Sequence, residues 1–203
     1  MDDRIQKVVN QYNKIASSYG KNIQNYYTQE DIDYFAKLLK PQSKVIDIGC
    51  AAGRDSRILK DLGFDVIGID LSEKLLEIAK KNNPDITFIQ ADFRKIPFPD
   101  NTFDGLWASA VFHHLDYKDM VPALWEFKRV LVKNRILYIR TKEGKGNWKK
   151  KEYLAVNEER EFNLLTKEQL EAMVKETGFE ILKIETVKDK LRDLLWIVLF
   201  CRK

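Results

Sequence analysis

The chain has 203 residues, 44% of them hydrophobic, which suits one globular domain with a sizeable core. Charged residues make up 33%, and the net charge of +4 is a mild excess that excludes the strong basic bias of a dedicated nucleic-acid binder. No run approaches the roughly 18 apolar residues of a membrane span, M-D-D-R-I-Q-K-V-V-N lacks the apolar core of a signal peptide, and Cys50 and Cys201 offer no disulfide framework or zinc spacing. A soluble protein of the reducing cytoplasm is expected, with no membrane partner.

Ile5, Val8, Val9, Tyr12, Ile15, Ala16 and Tyr19 recur at three- and four-residue spacing and predict an amphipathic helix. Thr28, with Asp31 after it, predicts the cap of a second helix that runs to the stop at Pro41, so residues 1–40 read as an N-terminal helical cap.

Beyond Pro41, short β-rich runs at 44–48, 65–69, 86–89, 103–108 and 135–140 alternate with helical patterns at 54–62, 73–81 and 118–132. Such alternation implies a parallel sheet joined by right-handed crossovers. A helix capped by Thr166 with Gln169 ends at Gly178, and strands at 179–187 and 194–201 then follow with a connection short enough to force antiparallel pairing. The expected fold is therefore α/β: a Rossmann-like, doubly wound, seven-stranded sheet, mostly parallel with an antiparallel last strand, in a single domain over 1–203. Residues 141–165, with G-K-G-N-W-K-K-K and no clean apolar period, read as a mobile insertion or lid beyond the carboxyl ends of the strands.

The strongest local signal is V-I-D-I-G-C-A-A-G-R-D-S at 45–56. An apolar strand ends in Asp47 and runs through Gly49, Ala51 and Gly53 into a helix, and small residues there let a ligand approach the backbone. Taken alone it also suits a bare strand-to-helix turn. Asp70, ending V-I-G-I-D one unit later, can accept both ribose hydroxyls of an adenosine ligand. Asp92, in F-I-Q-A-D-F, is placed to meet an adenine amino group beside Phe93. Each carboxylate could simply cap a helix; three at successive strand ends point to one crevice.

These residues resemble the class I S-adenosylmethionine-dependent methyltransferases, in the group built on a small generic methyltransferase domain. The resemblance spans nearly the whole chain and rests on Y-N-K-I-A-S-S-Y at 12–19, the glycine turn, G-I-D-L-S at 68–72, A-D-F-R-K-I-P-F-P-D-N-T-F-D at 91–104 and L-V-K-N-R-I-L-Y-I at 131–139. It implies S-adenosyl-L-methionine as cofactor. Asp47 would order the turn, with Gly49, Ala51 and Gly53 against the methionine portion and Arg54 on its carboxylate, although Arg54 equally suits an ion pair with Asp55 or Asp61. Asp70 would bind the ribose with Leu71 beside it, Asp92 and Phe93 the adenine, and Ala108 and Ser109 the region of the sulfonium. Tyr19 would lie over the cofactor, with Tyr26 and Tyr27 nearby, unless it is simply a core aromatic.

The chain departs from the family at Ala51, where glycine is usual and alanine is tolerated only at an unstrained φ, and at Val132, Lys133, Asn134 and Arg135, where P-G-G is frequent. A nicotinamide enzyme is the rival α/β reading, but Arg54 occupies the third glycine position of its fingerprint.

Methyl transfer to a small-molecule acceptor is the expected activity. His114, in A-V-F-H-H-L with His113, is the candidate catalytic base, against the alternative of a histidine packed under the cofactor loop. Ala108, Ser109, Ala110 and Val111 stand where an Asn-Pro-Pro-Tyr segment would grip a DNA base. RNA is the alternative acceptor, carried by Lys145, Lys149, Lys150 and Lys151 around Trp148 and diluted by Glu152, Glu158, Glu159 and Glu161. A non-catalytic sensor or activating subunit is the further alternative. The sequence leaves the acceptor atom and the oligomeric state open.

Overall fold

The computed structural model describes residues 3–22, 29–151, 159–190 and 192–203. Helices α1 (Asp3–Asn22) and α2 (Gln29–Lys37) precede the alternating units β1 (Lys44–Ile48), α3 (Arg54–Asp61), β2 (Asp65–Asp70), α4 (Glu73–Asn82), β3 (Thr87–Gln90), β4 (Phe103–Ser109), α5 (Tyr117–Val130) and β5 (Leu131–Lys142). A hairpin of β6 (Gly146–Lys151) and β7 (Glu159–Leu164) leads to α6 (Lys167–Glu176), β8 (Glu180–Lys188) and β9 (Leu195–Arg202). The main sheet has seven strands in the order β3-β2-β1-β4-β5-β9-β8. Strand β9 runs antiparallel to both β5 and β8, and the rest of the sheet pairs in parallel, as the sequence predicts.

Both faces of the sheet are covered, so its central strands are apolar without a break. Leu106, Leu137 and Leu199 on β4, β5 and β9 face a core closed by Phe127 of α5 and Val174 of α6. Their chain neighbours Trp107, Tyr138 and Phe200 face the opposite core, against Phe35 of α2. The period-two geometry of a strand sends adjacent side chains to opposite layers. Trp107 and Tyr138 stack at 3.8 Å, and Phe35 meets Trp107 edge-on at 5.1 Å. Each such fully buried side chain contributes about 1.5–3 kcal/mol of transfer free energy.

The predicted face of α1 is its buried one: Ile5, Val9, Ile15 and Ala16 are all under 9% exposed. Ala16 packs with Ala52 and Leu75, which lays the helix over the turn after β1 and over α4. The Thr28 cap lies outside the described residues. Helix α2 ends at Lys37, short of Pro41, because Leu38 and Leu39 donate instead to the carbonyls of Phe35 and Ala36 in a tighter final turn. Strand β5 starts earlier than expected, with Leu131 paired to Phe103 and an irregularity before Gly105. Asn134 sits there at φ 64, a left-handed conformation that asparagine tolerates where the family often has glycine. The Thr166–Gln169 capping box of α6 forms as predicted, with the Gln169 backbone N–H donating to Thr166 Oγ1 and the Thr166 N–H to Gln169 Oε1.

Within 141–165, expected as a mobile insertion or lid, the described residues complete β5 and build the β6–β7 hairpin. Arg160, Phe162 and Leu164 alternate along β7 and are 4%, 1% and 8% exposed. G-N-W-K-K-K carries one apolar side chain, so half of the hairpin has no alternation for a sequence reading to find.

Candidate active site

Buried β1 ends in Asp47 and Ile48 and delivers the chain into a turn in which Gly49, Ala51 and Gly53 all adopt positive φ, at 67°, 49° and 80°. The N–H groups of Gly49 and Cys50 donate to the Ile69 carbonyl at 2.8 and 3.0 Å, which clamps the turn to the end of β2. A Cβ on Gly49 would lie 2.6 Å from the Val111 side chain, so glycine is required there for space as well as for φ. Ala51 does not have the unstrained φ expected of it. Its N–H donates to Asp70 Oδ2 at 2.9 Å, and that bond holds it in a conformation costing an alanine about 1–2 kcal/mol.

Asp70 accepts a second backbone bond at Oδ1, from Ser72 N–H at 2.8 Å. Burial pushes its carboxyl above the usual range, against the pull of these N–H donors. Asp47, 2% exposed, accepts from Ser56 Oγ at 2.5 Å and is likewise raised, first by burial and then by the charge of Asp55. Asp55 is also buried, but the Arg54 guanidinium, Nε to Oδ1 at 2.6 Å, and the Trp107 indole N–H at 3.0 Å outweigh the desolvation and hold it low. Arg54 thus meets Asp55, while Asp61 is held by Arg57 at 2.6 Å.

A cavity of about 730 Å³ opens over this turn. Of the residues singled out in the sequence, Tyr19, Asp47, Gly49, Ala51, Arg54, Asp70, Leu71, Phe93, Ser109 and His114 line it together. Gly53 lies behind it at the N-terminus of α3, packed so closely that a Cβ would come within 2.9 Å of Asn83 and Phe88. Ala108 is fully buried beneath the floor. Asp92 stands outside the lining, its carboxylate gripped by Arg94 Nε and Nη2 at 3.1 and 2.8 Å, and Arg94 also reaches Asp119 at 3.1 Å.

The far end of the cavity contains residues that the sequence reading did not single out. Tyr12 Oη accepts from Arg160 Nη1 at 2.6 Å and lies 3.0 Å from His114 Nε2. Lys142 Nζ sits 3.3 Å from the centroid of the Phe162 ring. His113 Nδ1 accepts from the Lys142 N–H at 3.4 Å and approaches Thr141 Oγ1 at 3.3 Å. Burial drives both imidazoles well below their ordinary pKa, and Arg160 and Lys142 push the same way, so both rings are neutral at neutral pH. Tyr12 was legible in principle, since it precedes Tyr19 by two helical turns on one face. Arg160 and Phe162 carry no such signal, because only the hairpin brings them here, and Lys142 at the end of β5 reads as a surface lysine.

A mostly parallel sheet with a reversed last strand, and a positive-φ turn tied to an acidic strand end across a ligand-sized cavity, define a Rossmann-like nucleotide-cofactor enzyme. The pattern of a methyltransferase domain matches residues 46–139. An uncharacterized methyltransferase of Oceanobacillus iheyensis is 30% identical over 168 residues, covering 77% of this chain and 76% of that protein. The demethylmenaquinone methyltransferase of Thermotoga maritima is 30% identical over 75% of this chain and 79% of its own. Other curated relatives are matched over smaller parts of their length, from 26% to 58%. Among solved structures, the 1,6-didemethyltoxoflavin-N1-methyltransferase of Burkholderia thailandensis, with bound 1,6-didemethyltoxoflavin and S-adenosylhomocysteine, superposes over 100% of this chain and 91% of its own with a TM-score of 0.77 at 17% identity. The chain belongs to the S-adenosylmethionine-dependent methyltransferases. Its own residues fit that methyl donor: the Asp70 carboxylate, braced by the backbone N–H groups of Ala51 and Ser72, keeps lone pairs for hydroxyl groups, beside the apolar walls of Leu71 and Phe93.

Proposed function

We propose that this methyltransferase acts on a small-molecule acceptor bound at the Tyr12–His114–Arg160 end of the cavity. The observation that carries the reading is continuity: one cavity, open on one side, runs from the glycine turn to the buried hairpin residues Arg160 and Phe162. Its size lies within the roughly 300–1,000 Å³ of small-ligand sites. Relatives that methylate demethylmenaquinone and 2-methyl-6-phytyl-1,4-hydroquinone, and the neighbour that holds 1,6-didemethyltoxoflavin, support the same acceptor class.

When bound, S-adenosylmethionine supplies an already activated methyl group, so the protein's task is alignment and exclusion of water. In this reading Asp70 takes the ribose hydroxyls with Leu71 beside it, and Phe93 covers the adenine, with Asp92 at its edge. Asp47 braces the turn whose backbone at Gly49, Ala51 and Gly53 receives the methionine portion, with Arg54 near its carboxylate. Ser109 and the backbone over Ala108 border the reacting end, and Tyr19 closes it. His114, held neutral by burial, is the group that would take up a proton from the acceptor. The 1–40 segment and the hairpin act as cap and lid, and the two buried thiols suit a reducing cytoplasm.

RNA as acceptor has the Lys145–Trp148–Lys149 face in its favour. Lys149 pairs with Glu161 at 2.7 Å, and the Trp148 ring packs against Phe162 at 6.0 Å, so that stretch offers a lysine already paired and a ring already packed. The other lysines of the cluster, Lys150 and Lys151, have side chains outside the described set. The test offers methyl-labelled S-adenosylmethionine and the protein to total RNA and, separately, to a metabolite extract. Label in the extract alone is the expected result; labelled RNA overturns the proposal, and label in neither pool favours a sensor or activating subunit instead.

A further inference from the structure

We propose that His113 orients the methyl acceptor, its Nε2–H donating to a carbonyl-type oxygen of the bound molecule beside the Ser109 hydroxyl. The inference rests on the small-molecule reading above and adds to it a contact residue and the group which that residue recognises.

The chain leaves β4 through a tightly constrained corner. Ala110 follows Ser109 at φ 59, a left-handed conformation that an alanine holds only under constraint, and its N–H donates to the Arg140 carbonyl at 2.8 Å. A single turn of 3-10 helix, Phe112–His114, comes next and returns His113 to the cavity that Ser109 and Ala110 also line.

His113 is 2% exposed, and its ring is boxed by Phe162 at 5.2 Å, Trp196 at 6.0 Å and His114 at 4.8 Å. Its Nδ1 accepts from the Lys142 backbone N–H, and an amide N–H can only donate, so the ring hydrogen resides on Nε2. Thr141 Oγ1, 3.3 Å from the same nitrogen, suits that tautomer as a second donor. Burial keeps the ring uncharged. Nε2 has no hydrogen-bond partner among the described residues, and, unlike His114 Nδ1, it is not sealed by its neighbours: it opens on the cavity that the residue lines. The Ser109 hydroxyl, on the same wall, likewise has no partner among the described residues.

A donor this buried is costly to leave unmet, and the ring cannot turn to another partner without giving up the Nδ1 bond. An oxygen with an open lone pair satisfies it, whereas an N–H group, itself a donor, opposes it. The walls around it are largely apolar, with Ile5, Val8 and Val9 of α1 beside Val111 and Phe162. An apolar body carrying a carbonyl oxygen meets these walls and this donor together.

Two aromatic ketones, 1-indanone and acetophenone, are titrated beside their carbonyl-free counterparts, indane and ethylbenzene, into protein labelled with nitrogen-15 at histidine, with and without S-adenosylhomocysteine. Nitrogen spectra of the unliganded protein, assigned against His113→Leu, should show the His113 hydrogen on Nε2. At least one ketone should outbind its hydrocarbon by about tenfold or more and shift the Nε2 resonance. His113→Leu should abolish that margin, and His113→Gln, whose amide can place an N–H at the same point, should restore part of it. A hydrogen on Nδ1, the absence of a margin in both pairs, or a margin that survives His113→Leu in a folded protein overturns the proposal. The two readings separate, because failure to bind S-adenosylhomocysteine strikes the methyltransferase reading, whereas the tautomer and the ketone margin are measured without it.

Discussion

Tyr12 on α1 and Arg160 on β7 meet hydroxyl to guanidinium at 2.6 Å across 148 residues of sequence. The Arg160 guanidinium also lies 5.3 Å from the Tyr12 ring and 5.8 Å from that of Tyr19. The N-terminal helix and the hairpin are therefore joined over the cavity by one cation, and the same hydroxyl orients His114.

Replacing Tyr12 by phenylalanine keeps the ring packing and deletes that hydroxyl. Stability should fall by about 1–3 kcal/mol in urea unfolding, the cost of leaving buried polar groups short of a partner. Methyl transfer should fall with it, while affinity for S-adenosylhomocysteine changes by less than about twofold, since Asp70 and the turn are untouched. Loss of cofactor binding would place Tyr12 in the other half of the site.

The turn makes two opposite predictions for two small residues. Ala51→Gly relieves a left-handed alanine and should raise stability by about 0.5–1 kcal/mol, strain relief less the added freedom of the unfolded chain. Gly49→Ala places a Cβ 2.6 Å from Val111 at φ 67 and should destabilise by about 1–3 kcal/mol or more. Thermal melts of both variants decide the point.

Much of this site is legible because it is local. Asp47, Gly49 and Gly53 announce themselves within a single strand-to-helix turn, Asp70 ends the next strand, and the Thr166–Gln169 box is a four-residue pattern. What escapes is long-range. Lys142 ends a strand as a lysine, a residue that ordinarily marks a surface, yet it is 3% exposed beneath the hairpin rings. Asp92 reads as a cavity carboxylate by its place at a strand end, and only the fold reveals that Arg94, two residues on, takes up both oxygens. The φ of Ala51 was unreadable because the bond that imposes it comes from Asp70, 19 residues away.

Protonation of the two histidines should couple to folding. Both have folded pKa values well below 6.5, so below about pH 6.5 the unfolded chain takes up protons that the folded one refuses. Stability from this source is level above about pH 7 and falls as the pH drops, by up to about 1.4 kcal/mol per histidine per pH unit. Asp47 and Asp70, raised by burial, act in the opposite direction, so the difference between the wild type and His114→Asn isolates the histidine. Urea midpoints from pH 5 to 7.5 should show a shallower acid slope in the variant; identical slopes would mean that His114 charges freely in the folded state.

The account stands most directly on the Asp70 carboxylate as the anchor of the methyl donor. Calorimetric titration of S-adenosylhomocysteine into the unmodified protein should show saturable one-to-one binding. Asp70→Ala, which removes both the ribose partner and the acceptor for Ala51 N–H, should weaken it by at least about a hundredfold in a protein that still folds. No binding by the unmodified protein, or undiminished binding by Asp70→Ala, would contradict it.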